Sequence, residues 1–165
     1  MILTVDIGNT ATTMGLYTPE GTLRFRGALK TDKNKTQDQL AIDLLDMFHL
    51  YQADIGEVTG GVISSVVPPM THAMAGAIRQ LSGVRPMIVG PGVKTGMNIL
   101  AEVHNQLGAD IVASSVAALQ KYPQPIIVID MGTATTLSYL GNTTYEGCVI
   151  IPGVRIAVEA LSGRA

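Results

Sequence analysis

The sequence predicts an α/β fold built on mixed sheets. Three observations carry that prediction. Apolar, β-prone runs alternate with amphipathic helical stretches along most of the 165 residues. The first three runs are joined by turns too short to hold a crossover, so they pair antiparallel. Residues 126–130, Ile-Ile-Val-Ile-Asp, form a continuous apolar run bounded by turn residues. Such a run marks a central strand covered on both faces.

Each element follows from local chemistry. Residues 2–6 are a short apolar run closed by Asp6, and Gly8, Asn9 and Thr10 make a tight turn. Residues 12–17 are β-prone, and Pro19-Glu20-Gly21 turns the chain again. Residues 22–29 alternate, with Arg24 and Arg26 on one face and Phe25 on the other. The polar stretch 31–36 is a loop. Thr36 and Gln39 stand at capping-box spacing, and Leu40, Leu44, Met47, Phe48 and Tyr51 recur behind them at helical period. A strand over 62–67 ends at Pro68-Pro69, and a helix over 70–81 follows, because proline is tolerated at a helix start. A short strand over 87–89 leads into a glycine-rich loop from Gly90-Pro91-Gly92 to Gly96. Residues 108–120 make a helix of small side chains, 148–151 a strand, and a last helix starts near Gly153. A soft boundary at Tyr122-Pro123-Gln124-Pro125 divides the chain into residues 1–122 and 123–165.

Composition narrows the function. Apolar residues make up 47% of the chain, enough for a packed core and too many for a disordered one. The net charge of -2 and pI near 5.8 argue against nucleic acid as a partner, since backbone phosphate binding shows as a clustered basic excess. No apolar run reaches the roughly 18–20 residues of a membrane span, and the N-terminus lacks a basic leader. The one cysteine, Cys148, excludes a disulfide framework and a multi-cysteine zinc site, and a single buried thiol suits a reducing compartment. A cytoplasmic protein without a membrane is expected.

The chain repeats itself once. Val5-Asp6-Ile7-Gly8-Asn9-Thr10-Ala11-Thr12-Thr13 resembles Ile129-Asp130-Met131-Gly132-Thr133-Ala134-Thr135-Thr136 with one gap. Both follow an apolar strand and precede a β-prone stretch. The chemistry suits phosphate: glycine lets a backbone approach closely, turn N–H groups form an anion nest, threonine hydroxyls donate, and a strand-end aspartate holds Mg²⁺ directly or through water. Two Asp-x-Gly turns with threonine tails therefore suggest two lobes on one plan, facing a shared cleft.

Five stretches occur in order: Asp6-x-Gly8-Asn9-Thr10, Ser64-Ser65-Val66-Val67-Pro68-Pro69, Gly90-Pro91-Gly92-Val93-Lys94-Thr95-Gly96, Gly108-Ala109-Asp110 and Asp130-x-Gly132-Thr133-Ala134-Thr135-Thr136. Together they resemble type III pantothenate kinase over essentially the whole chain. The resemblance implies two ribonuclease-H-like lobes of the actin-like ATPase kind, with ATP between them. It implies transfer of the γ-phosphate of ATP to the primary hydroxyl of pantothenate, the first step of coenzyme A biosynthesis. Mg²⁺, a monovalent cation (K⁺ or NH₄⁺) and a homodimer come with it. By the same match, Asp6, Gly8, Asn9, Thr10, Thr12 and Thr13 hold the ATP phosphates, with Gly132 and Thr133 helping from the second lobe. Asp130 ligates the monovalent cation, and Asp6 is a metal ligand as well. Gly108, Ala109, Asp110 and Ile111 meet the substrate, and Asp110 is the general base.

Two departures from the family pattern bear on this. Ala101, Glu102, Val103 and His104 stand where Tyr, Asp, Asn and Pro are usual, and Ile111 stands where Arg is usual. A guanidinium grips a carboxylate bidentately and isoleucine does not, so Lys94, Arg85 or His104 would have to anchor the pantothenate carboxylate. Cys148 replaces the second glycine of a pair. The other departure is length: the chain is expected to stop inside the second lobe, as a truncated sequence does. Two other readings follow. One is a paralogous kinase acting on another small alcohol, and the other a non-catalytic nucleotide-binding or regulatory relative.

Overall fold

The computed structural model describes residues 1–90, 93–100 and 107–163. The chain forms two compact units, Met1–Gly90 and Pro91–Ala165. Both are α/β with mixed sheets, as the sequence predicts.

The first unit runs β1 (Ile2–Ile7), β2 (Ala11–Tyr17), β3 (Leu23–Lys30), α1 (Gln37–Leu50), a 3₁₀ turn (Ile55–Glu57), β4 (Gly60–Ser65), α2 (Pro68–Ser82) and β5 (Met87–Ile88). The sheet order is β3-β2-β1-β4-β5. The three opening strands pair antiparallel, and β4 and β5 join parallel. One sheet face carries Leu3, Val5, Ile7, Met14, Leu16, Phe25 and Ile63, all buried. Leu40, Leu44 and Phe48 of α1 and Met70, Met74 and Ile78 of α2 complete this core. The capping box forms: Gln39 N–H donates to Thr36 Oγ1 at 3.3 Å and Thr36 N–H to Gln39 Oε1 at 2.9 Å. The strand expected over 62–67 begins instead at Gly60, because Gly60 and Gly61 pair with Ile2 and Leu3 without any side-chain pattern to announce it. Val66 has left the ladder, yet its N–H still reaches Ile7 O at 3.0 Å.

The second unit runs β6 (Asn98–Ile99), α3 (Ala109–Lys121), β7 (Ile126–Met131), β8 (Ala134–Gly141), β9 (Thr144–Pro152) and α4 (Val154–Ser162), with sheet order β6-β9-β8-β7. Its core joins Met97, Ile111, Ala118, Leu140 and Tyr145, with Ile126, Val128 and Cys148 packed against them. Here the structure corrects one expectation. β7 is not central and doubly covered; it lies at the sheet edge. The helix α3 covers the face of Ile126 and Val128, but Ile127, Ile129 and Met131 on the opposite face are exposed, as is Val149 across the sheet. Val154, Ile156, Val158 and Leu161 of α4 are exposed as well. An apolar run reports that a strand needs two covers; it does not say that the described chain supplies both. Cys148 is only half-buried, rather than the buried thiol expected.

Candidate functional site

The first turn is built by β1 and β2. Their register pairs Ile7 with Thr12 and Asp6 with Thr13, which places Asp6 and Thr13 on the sheet face away from α1 and α2. Gly8 N–H closes the turn on Ala11 O at 3.0 Å. A threonine that no sequence motif marks backs it: Thr31 N–H donates to Thr10 O at 3.0 Å, and its hydroxyl donates to Gly8 O at 2.7 Å. Thr12 Oγ1 lies 3.0 Å from Thr31 Oγ1, buried, so Thr12 holds the rear of the turn. Asp6, Asn9 and Thr10 are exposed at its mouth, where Lys33 Nζ donates to Asn9 Oδ1 at 3.1 Å. Ser64 pairs with Asp6 from β4, and its buried hydroxyl has no partner among the described residues. A hydrogen-bonding group with capacity to spare beside an aspartate suits a ligand rich in oxygen.

The second turn repeats the first. Asp130 pairs with Thr136 and Met131 with Thr135. Gly132 N–H closes on Ala134 O at 3.0 Å, and Gly153 N–H donates to Thr133 O at 3.0 Å. These are the bonds of Gly8 and Thr31 again, in a turn one residue shorter. Gly153 therefore stands where Thr31 does, and it must be glycine: a Cβ there would run into the carbonyl oxygens of Gly132 and Thr133. Gly153 also caps α4, so a helix N-terminus stands behind this turn. Asp130, Gly132 and Thr133 are exposed, and Asp130 lies on the sheet face that α3 covers.

Asp110 is the second residue of α3, after the N-cap Gly108. It is half-buried, and its Oδ1 accepts from Ile111 N–H at 2.8 Å. Ile111 itself is packed into the second core. Lys94 and Arg85 are exposed. Pro91, Gly92, Ala101, Glu102, Val103 and His104 lie outside the described residues. Among the described residues no three His, Cys, Asp or Glu side chains gather as a metal cluster. Asp6 and Asp130 each put one carboxylate beside a turn, and a hard cation held there would complete its shell with water, backbone or phosphate oxygens.

Comparisons with known proteins show the family of the chain. Residues 2–165 match the sequence model of a family described as type III pantothenate kinase. A protein of that description from Listeria innocua is 41% identical over 166 residues, covering 100% of this chain and 64% of its own length. Another from Halalkalibacterium halodurans is 42% identical, covering 100% of this chain and 65% of its own. The chain thus spans under two thirds of these relatives. Among solved structures, the ethanolamine utilization protein EutJ from Carboxydothermus hydrogenoformans superposes with a TM-score of 0.55 at 14% identity, over 98% of this chain and 56% of that one. The Ppx/GppA phosphatase of Aquifex aeolicus gives 0.53 at 11%, over 96% and 54%. At such identities the likeness speaks for the actin-like ATPase fold alone.

Proposed function

Since the chain belongs to the type III pantothenate kinase family, we propose that it carries the phosphate-binding turns and the general base of an ATP-dependent kinase that phosphorylates pantothenate. The observation that supports this most is the paired turns. Two Asp-x-Gly turns, one in each unit, close by the same backbone hydrogen bonds. A structural turn need occur only once. Phosphoryl transfer asks a protein mainly for positioning and charge neutralisation, and each turn by itself offers backbone and hydroxyl groups suited to phosphate oxygens.

In this reading residues 6–13 hold the ATP phosphates, and Gly132 and Thr133 add contacts. Gly8 spends its N–H on Ala11, so its part is to let the ligand approach, not to donate. Asp110 takes the proton of the pantothenate hydroxyl as that oxygen bonds to the γ-phosphorus and the bridging bond to ADP breaks. Asp6 would hold Mg²⁺ and Asp130 the monovalent cation; both ions would offset phosphate charge. The protein would act in the cytoplasm as a homodimer. No described helix is long and apolar enough to cross a membrane.

One observation favours a second acceptor. Ile111 is part of the core and offers no charge to a carboxylate. A lost charge-assisted contact costs about 1.5–3 kcal/mol, so an alcohol without that carboxylate would be preferred. The test is ADP release with ATP, Mg²⁺ and K⁺, pantothenate set against a panel of small alcohols. It is run on the chain itself and on the chain continued by the part of the Listeria innocua relative that it does not span. Pantothenate-dependent ADP release supports the first reading, and release with another alcohol alone supports the second. An acceptor-independent signal in both proteins sinks both readings.

A further inference from the structure

We propose that Lys33 is a phosphate-contacting residue, delivering a positive charge to the polyphosphate at the first turn. The inference rests on the reading of residues 6–13 as the phosphate turn and names a contact that reading does not contain.

Lys33 lies in the loop between β3 and α1, 24 residues from the turn it touches. Its ammonium donates to Asn9 Oδ1 at 3.1 Å, at the exposed mouth of the turn. An exposed lysine–asparagine bond is common on surfaces and means little alone. What distinguishes this one is how the loop is held. Two residues earlier, Thr31 bonds the turn twice, to Thr10 O and to Gly8 O, with Thr12 buried behind it. Asp32 Oδ1 accepts from Asn34 N–H at 3.0 Å and fixes the bend. Two residues later Lys35 is tied to Asp43 at 2.6 Å, and Thr36 sits in the capping box. Lys33 is thus anchored on both sides and aimed at the turn.

Charge points the same way. A polyphosphate carries several negative charges, and the Mg²⁺ that Asp6 would hold offsets only part of them. Lys35 is neutralised by its partner. Lysine is a compact point charge that binds phosphate oxygens without the geometric demands of arginine. Asn9 Oδ1 then acts as a parking partner that a phosphate oxygen displaces, at the exchange of one hydrogen bond for a charge-assisted one. Lys30, paired with Ala11 at the end of β3, is the rival cation.

The experiment measures the affinity of the chain for MgATP and for AMP at low and high salt. It compares wild type with Lys33→Met, Lys33→Arg, Lys30→Met, Lys35→Met and Gly8→Val. The expected result is a loss of about tenfold in ATP affinity for Lys33→Met, narrowing at high salt as the charge is screened. AMP affinity should not change, Lys33→Arg should restore most of the loss, and Lys35→Met should match wild type. If Lys33→Met matches wild type while Gly8→Val loses ATP, the lysine assignment is overturned and the turn reading stands. A loss of affinity in Lys30→Met alone overturns the lysine assignment in the same way. If Gly8→Val and Lys33→Met both bind ATP as wild type does, the turn reading falls and the lysine goes with it.

Discussion

Ile7 and Met131 each end their strand, directly after its aspartate, yet Ile7 is 0% exposed and Met131 68%. Ile7 lies beneath α1 and α2, whereas Met131 projects from an uncovered sheet face. Replacing Ile7 with alanine should cost about 2–5 kcal/mol. Replacing Met131 with alanine should stay within about 0.5 kcal/mol. Urea unfolding of the two variants reads the difference, and equal losses would mean that Met131 is covered in solution.

Thr31 is expected to matter through its hydroxyl. Thr31→Val keeps the shape but removes the donor to Gly8 O and strands the buried Thr12 hydroxyl. A loss of about 1–3 kcal/mol should follow, most of it recovered by Thr31→Ser. A valine variant as stable as wild type would show that the turn stands without this brace.

Asp110→Asn tests the proposed base. The asparagine oxygen can still accept from Ile111 N–H, so the helix start survives. Turnover should fall at least about a hundredfold, the ordinary worth of a general base, while ATP affinity holds. Undiminished turnover in the active protein would remove Asp110 from the mechanism.

Ser115 faces the second core from α3, fully buried, with no hydrogen-bond partner for its hydroxyl among the described residues. Ser115→Ala should therefore stabilise the chain by about 1 kcal/mol, and alanine is also the better helix former. A lower midpoint in thermal unfolding would point to a further partner for the hydroxyl.

Tyr145 gives the pH dependence. Burial pushes its phenol up to about 12 from 10.0, with Cys148 adding to the rise and the Ser138 hydroxyl, 3.0 Å away, opposing it. The folded state thus holds a proton that the unfolded chain gives up earlier. This contribution is complete below pH 10 and is lost as the pH climbs through about 12. Absorbance at the phenolate band should show one late-ionising tyrosine, absent from Tyr145→Phe. If the Tyr145→Phe titration overlays that of wild type, the assignment fails.

The longer strands, the capped helix α1 and both Asp-x-Gly turns are legible in the sequence because each is encoded in neighbouring residues. Thr36 and Gln39 announce a helix start by their spacing alone. The brace from Thr31 and the contact from Lys33 are not legible, since both depend on a pairing across some two dozen residues. Gly60 and Gly61 hide the start of β4 because glycine has no side chain to alternate. The two-residue strands β5 and β6 are too short for any period to show; the first is betrayed by its apolar run, and the second escapes sequence reasoning. Ile111 shows in the sequence only as a missing arginine; its burial belongs to tertiary packing.

The edge position of β7 has a consequence for self-association. An edge strand offers unpaired backbone groups to any passing strand, and beside it stand Ile127, Ile129 and Met131 in the open. A second strand laid along β7 would pair those groups and shield the three side chains from water in one step, so this seam is where copies of the chain would stick together as concentration rises.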